Sequence, residues 1–145
     1  MEEKVLLRLT GIQRDETGEE TVTDLCVKAL FYRRNNSTYI LYEEAQEETG
    51  AVIKSTLKLK DRVLELVKTG TVRTRMVFRQ GKECMTEYVT PYGCLQMGVR
   101  TDALSVSCEE DGRMKIRVEY ALTSGGYPVS DCELTIQTIP VQTGH

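Results

Sequence analysis

The chain has 145 residues, with 19 lysines and arginines against 22 aspartates and glutamates for a net charge of −3, and a single histidine. That length suits one domain, taken as 1–145, with a sizeable core, and the acidic balance argues against nucleic-acid partners, whose binders carry a basic patch or stripe. No apolar run approaches the roughly 20 residues a spanning helix needs, and Met1-Glu2-Glu3-Lys4 followed by an apolar group broken at Arg8 is unlike a secretory signal, so a soluble, cytoplasmic protein with no membrane partner is expected.

Residues 4–12 open as a strand, and the polar loop 14–19 leads into a long strand over 20–33. There Leu25, Val27, Ala29 and Phe31 share one face, and Val22, Asp24, Cys26, Lys28, Leu30 and Tyr32 make a mixed opposite face. A period of two with one buried side is the signature of a sheet strand. Asn35-Asn36 marks a turn, because asparagine tolerates positive φ, and 38–42 completes a hairpin. The acidic stretch 43–50 admits a short helical turn, although a hairpin loop is favoured. In 51–60, Ile53, Ser55, Leu57 and Leu59 alternate with Val52, Lys54, Thr56 and Lys58. Residues 62–69 are ambiguous: Val63, Leu66 and Val67 also fit a helical stripe, yet Gly70 and the β-branched run 71–78 favour a strand.

Gly81 turns the chain into 82–90, and Thr90-Pro91-Tyr92-Gly93 then forms a tight corner. Proline fixes its own φ and pushes Thr90 extended, and glycine in fourth place accepts a positive φ. The strand over 94–108 carries Leu95, Met97, Val99 and Thr101 on one face. Keeping Leu104, Val106 and Cys108 on that face requires a bulge or break at Thr101-Asp102-Ala103. Asp111-Gly112 marks a hairpin, after which Met114, Ile116, Val118, Tyr120 and Leu122 alternate with Lys115, Arg117 and Glu119. Ser124-Gly125-Gly126 turns again, Cys132, Leu134 and Ile136 form the inner face of the last strand, Pro140 ends it, and 141–145 reads as a frayed tail.

About ten short strands joined by turns, with no helical period between them, predict an all-β antiparallel protein. An up-and-down barrel of about 8–10 strands removes exposed edges by closing on itself, and a two-sheet sandwich is the rival arrangement.

The run Tyr39-Ile40-Leu41-Tyr42-Glu43-Glu44, then Thr49-Gly50, Ser55-Thr56-Leu57-Lys58-Leu59, Gly70, Met76-Val77-Phe78, Tyr88-Val89-Thr90-Pro91-Tyr92-Gly93, Val99-Arg100-Thr101 and Tyr120-Ala121-Leu122, resembles the YwiB-type bacterial domains of unknown function. Those domains resemble the calycins, the barrel group of lipocalins and fatty-acid-binding proteins. The resemblance spans nearly the whole chain and implies a calycin-like barrel in a bacterial cytoplasm. It implies no activity, and it carries no catalytic or binding residues over to this chain.

The residues themselves argue against catalysis. Histidine is the usual general base near neutral pH, and the one here is His145, in the tail. Glu43-Glu44 and Glu47-Glu48 are paired carboxylates, but neighbours on a strand point to opposite faces, so a solvated loop is the ordinary reading. No phosphate-binding glycine motif occurs, and no cofactor is implied. Cys26, Cys84, Cys94, Cys108 and Cys132 are odd in number and contain no Cys-x-x-Cys pair, so buried, reduced thiols are expected in place of a disulfide framework or a metal site. Lys54 and Lys58, Arg73, Arg75 and Arg79, and Arg113, Lys115 and Arg117 repeat at strand spacing. Cross-strand pairing with Glu65, Glu87 and Glu119 is their ordinary reading, and an anion-binding patch is the sharper one.

What remains is the barrel itself. Thr74, Met76, Thr86, Tyr88, Met97 and Tyr120 fall on its inward face and, with Tyr92 at the corner, form the candidate site for a small semi-polar or apolar ligand. Tyr88 and Tyr92 plugging the barrel end is the bland alternative. An interior filled by its own side chains would instead suit a structural or protein-interaction barrel, with a homodimer as one outcome. Gly93→Val is expected to destabilise the protein by about 1 kcal/mol if the corner uses a positive φ. An unchanged thermal midpoint would remove the corner assignment.

Overall fold

Alternation along each strand and left-handed residues at the turns set the architecture. The computed structural model describes residues 2–45 and 50–141. Ten strands follow in order: β1 (Glu3–Asp15), β2 (Glu20–Arg34), β3 (Ser37–Ala45), β4 (Val52–Lys60), β5 (Val63–Thr69), β6 (Arg73–Arg79), β7 (Glu83–Thr90), β8 (Gly93–Cys108), β9 (Met114–Ser124) and β10 (Tyr127–Pro140). Each pairs antiparallel with its neighbours in sequence, and β1 also pairs with β10 from Val5↔Pro140 to Asp15↔Ser130. The result is the expected closed, up-and-down antiparallel barrel, with ten strands. Among the described residues no helix is long and apolar enough to cross a membrane.

The turns show why closure is local. Asn35 and Asn36 adopt φ of +53° and +62° between the paired Arg34 and Ser37. Both central residues of such a two-residue loop are left-handed, and its twist matches that of the strands. Asp61 and Arg62 do the same at +50° and +62°, although arginine gains nothing locally from that conformation. Arg62 is held from a distance, its Nη2 donating to the Leu104 carbonyl at 2.9 Å. At the Pro91-Tyr92 corner Gly93 has φ of +140°, and Thr90 Oγ1 accepts from the Tyr92 N–H at 3.2 Å and donates to the Gly93 carbonyl at 3.0 Å.

The ambiguous segment 62–69 is strand and not helix, with Arg62 in the turn and Val63–Thr69 as β5: Leu64 and Leu66 are buried while Val63 and Val67 lie on the other side. The bulge arrives where the apolar pattern requires it, between Thr101 and Ala103. It keeps Val99 and Thr101 facing inward together with Leu104 and Val106, and the Leu104 N–H it frees donates to Gln80 Oε1 at 3.1 Å. A second irregularity between Pro128 and Ser130 has no counterpart in the sequence expectations. Inside, Leu7, Leu64, Phe78, Val99, Ile116, Val118 and Ile136 are fully enclosed, and Phe78 meets Tyr120 edge-on at 4.8 Å between ring centroids.

Three expectations are corrected. Glu43 to Ala45 continue β3, so no helical turn begins there, and residues 46–49 lie outside the described residues. The tail does not fray from its first residue, because the Val141 N–H donates to the Lys4 carbonyl at 3.2 Å; residues 142–145 lie outside the described residues. The cysteines are unpaired, but only Cys132 is buried, with Cys26, Cys94 and Cys108 exposed, because each of the exposed three falls on an outward face or near a strand end.

The wall is continuous but uneven. The β1–β2 ladder holds twelve pairs, whereas β2 and β3 share five, from Leu30↔Leu41 to Arg34↔Ser37. Below Leu30, β2 stays with β1, and beyond Leu41, β3 stays with β4, so a seam opens between them. The β6–β7 ladder has only Arg73↔Val89 and Thr74↔Tyr88, supplemented by Thr86 Oγ1 donating to the Arg75 carbonyl.

Arg62→Ala and Arg62→Gly both remove the bond to Leu104, but only alanine keeps the cost of a positive φ. Urea unfolding is therefore expected to rank alanine as the more damaging by about 1 kcal/mol. Equal losses would show that the backbone conformation carries no strain.

Candidate functional site

The residues singled out near the corner do not form one group. Thr74 stands opposite Tyr88, and Thr86 opposite Met97, so these four come together on the inward face of β6, β7 and β8. Met76 is half-buried on the same face of β6, opposite Leu66. Tyr120 belongs to the packed interior, opposite Thr101 and against Phe78, and burial pushes its phenol pKa well up. Tyr92 stands apart at 98% exposure and cannot plug the barrel end, while Tyr88 is exposed at 38%. With Met85 and Leu95 also exposed on opposite faces, the β7–β8 hairpin extends past the packed interior. The two-tyrosine plug is thereby overturned.

Side-chain chemistry converges instead at the β2–β3 seam. Where the two strands part, a cleft of about 710 Å³ opens between Ala29 and Leu30 on one side and Leu41 and Tyr42 on the other, with Ser55 and Thr56 of β4 behind. Lys4, Lys28, Glu43, Lys54, Thr69 and Val141 complete its wall. Tyr42 and Ser55 face each other in the β3–β4 ladder at 3% and 2% exposure. Neither hydroxyl has a hydrogen-bond partner. Burial pushes the Tyr42 phenol up to about 12, and the Ser55 hydroxyl is near enough to ease that shift without standing in bonding geometry. Tyr42 therefore remains a neutral donor at any physiological pH.

An unpaired buried hydroxyl costs on the order of 1–3 kcal/mol relative to a paired one. Thr74, Thr101 and Thr138 share that condition, so among the described residues five buried hydroxyls lack partners, and two of them belong to residues in the wall of one cleft. Ser55 was legible in the sequence as an inward residue, but nothing there marks where β2 leaves β3.

The remaining candidates resolve into ordinary surface chemistry. Arg75 Nε lies 2.9 Å from Glu65, and Arg117 lies 3.6 and 3.4 Å from Glu119 and Glu133. Arg75–Glu65 is the expected cross-strand pair, whereas Arg117 reaches Glu119 along its own strand and crosses to Glu133 of β10, which is not among the sequence expectations; each is worth tenths of a kcal/mol at such exposure. Glu87 takes a different partner, accepting from the Cys94 thiol at 2.8 Å and pushing its pKa up. That leaves Cys94 less nucleophilic than a free thiol. Glu43 lines the cleft, Glu44 pairs with Lys68 at 3.5 Å, and Glu47, Glu48 and His145 lie outside the described residues. Among the described residues, no group of three or more His, Cys, Asp or Glu side chains is arranged to hold a metal ion.

A family profile described as "Domain of unknown function (DUF1934)" matches residues 7–136. Among solved structures, the crystal structure of the ywiB protein from Bacillus subtilis superposes with a TM-score of 0.84 at 19% identity, over 97% of this chain and 94% of that one. At that identity the likeness establishes the barrel and nothing about a ligand. No curated protein matches the chain.

Thr101→Val replaces an enclosed, unpartnered hydroxyl by a methyl group of the same shape. It is expected to raise stability by up to about 1 kcal/mol in urea unfolding, against the usual sign for a core substitution. A loss of similar size would mean that the hydroxyl is paired.

Proposed function

The chain belongs to the DUF1934 family of domains of unknown function, and from that premise we propose that it is a non-catalytic binding module that takes a small semi-polar or apolar ligand in the cleft at the β2–β3 seam. The observation that carries this reading is the largely apolar cleft of about 710 Å³ left where β2 parts from β3, with the enclosed, unpartnered hydroxyls of Tyr42 and Ser55 on the inward side of its wall. Ligand pockets combine that range of volume with an apolar wall and a few convergent polar groups. The seam is preferred to the corner because Tyr88 and Tyr92 are too exposed to enclose a ligand.

Support for the absence of catalysis comes from the side chains at the seam. The lysines and Glu43 there are exposed, Tyr42 is a phenol held neutral by burial, and among the described residues the cleft wall contains no histidine or cysteine to act as base or nucleophile. The exposed, unpaired thiols of Cys26, Cys94 and Cys108 favour a reducing compartment, the cytoplasm. The net charge of −3 disfavours nucleic acid as a partner.

A second reading, a protein-interaction barrel that forms a homodimer, is favoured by the β7–β8 hairpin. It presents Tyr88, Tyr92 and Leu95 to solvent, with Tyr88 and Leu95 opposite each other on one face, exposed apolar groups of the kind that mark interfaces.

Native mass spectrometry of protein purified from its own host distinguishes the two. A small-molecule mass is expected on the wild type and on Tyr88→Ala but not on Thr56→Trp, whose ring fills the cleft. Retention by Thr56→Trp with loss from Tyr88→Ala would return the ligand to the corner. A ligand-free dimer that Tyr88→Ala dissociates would favour the interaction reading.

A further inference from the structure

We infer that the ligand of the seam cleft is an amphiphilic anion, a soluble molecule with an apolar body and one acid group, with that acid group held among Lys4, Lys28 and Lys54. The inference rests on the seam being the binding site and adds the class of molecule that fits it.

Lys4 stands on β1 opposite Leu30, and Lys28 on β2 opposite Leu6, so both belong to the wall that stays with β1. Lys54 approaches from the other wall, on β4 between Glu43 of β3 and Thr69 of β5. Three cations thus border one cleft against a single carboxylate, in a chain whose net charge is −3. None of the three makes an ion pair with a described residue, whereas the neighbouring Lys68 pairs with Glu44 at 3.5 Å. Another cleft, lined by Arg8, Arg113, Lys115 and Glu109, has the same balance of charge, but there Arg8 pairs with Asp24 at 3.3 Å and Arg113 with Asp111 at 3.0 Å. Like charges brought round one opening repel one another and are relieved by a bound anion.

The floor between those lysines is apolar. Leu30 and Leu41 form the last rung of the β2–β3 ladder, and Ala29 lies next to it. Lysine stems add methylene surface while their ammonium groups reach water. A wholly polar anion would leave that floor unused, and a neutral apolar molecule would leave three cations facing one another. A molecule with both parts satisfies the two together.

The test uses two fluorescent probes with one aromatic body: 1-anilinonaphthalene-8-sulfonate, which is anionic, and N-phenyl-1-naphthylamine, which lacks the sulfonate. Intact wild type is expected to bind the sulfonate at least about tenfold more tightly. Substituting Lys4→Gln, Lys28→Gln and Lys54→Gln together should abolish that preference while the neutral probe still binds, and should not lower the thermal midpoint, since it relieves the repulsion among the three cations. Equal binding of the two probes by the wild type, lost for both in Thr56→Trp, would overturn the anionic class and leave the seam as the site. Binding of neither probe, or binding that Thr56→Trp does not weaken, would overturn the seam itself. Wild-type protein that sediments with vesicles of phosphatidylcholine and phosphatidylglycerol, and is released by the triple substitution, would assign the lysines to a membrane surface and overturn the soluble ligand.

Discussion

A closed barrel has one interior, and every strand must present alternate residues to it in the same phase. β8 is the longest strand, and an uninterrupted alternation over Gly93–Cys108 would turn Leu104 and Val106 outward once Val99 and Thr101 had turned in. The extra residue at Asp102 corrects that phase. The correction leaves backbone groups without a ladder partner, and two distant loops supply them. Gln80 accepts from the Leu104 N–H and Arg62 donates to its carbonyl. Thr101, at the start of the bulge, exchanges bonds with the Gly81 N–H and the Lys82 carbonyl. One residue of bulge therefore fixes the β4–β5 turn, the β6–β7 turn and the middle of β8 relative to one another.

Packing in the centre and opening at the seam are two sides of that arrangement. The interior around Phe78, Ile116 and Val118 has no exposed surface, so polar chemistry is pushed to places where neighbouring strands separate. Two such places exist among the described residues, at β2–β3 and β6–β7. At β6–β7 the side chain of Thr86 takes over a backbone role by bonding the Arg75 carbonyl. Among the described residues no equivalent bond closes β2–β3, and the hydroxyls of Tyr42 and Ser55 are left without partners beside it.

Much of the fold is legible from residue periodicity alone. The inward faces of β2, β4 and β9, the Asn35-Asn36 turn, the Gly93 corner and the bulge near Asp102 all follow from alternation and from which residues tolerate positive φ. The alternation even places Cys26 on the outward face of β2, where it is exposed; a general preference for buried cysteine pointed the wrong way. The Asp61-Arg62 turn was harder, because its compensation comes from Leu104, far along the chain. The candidate site was less legible still. Ser55 reads as inward, but a cleft depends on where one ladder ends, and that is set by the relative lengths and tilts of strands that the residues of β2 and β3 do not encode by themselves. The aromatic corner, conspicuous in the sequence, turned out to be the tip of a hairpin with Tyr92 in water.

The β1–β10 ladder has a consequence for how the molecule forms. Its eleven pairs, from Val5↔Pro140 to Asp15↔Ser130, join the two ends of the chain. Every other ladder is a hairpin that can form as soon as its own two strands exist, but this one must wait until nearly the whole chain is available. Closing so long a loop is entropically costly, and high sequence separation between contacts slows folding. During synthesis β1 would offer a long free edge, the kind of template that pairs with other chains. The last step of folding is thus the one that removes the aggregation hazard, and its speed limits how long a nascent copy remains vulnerable.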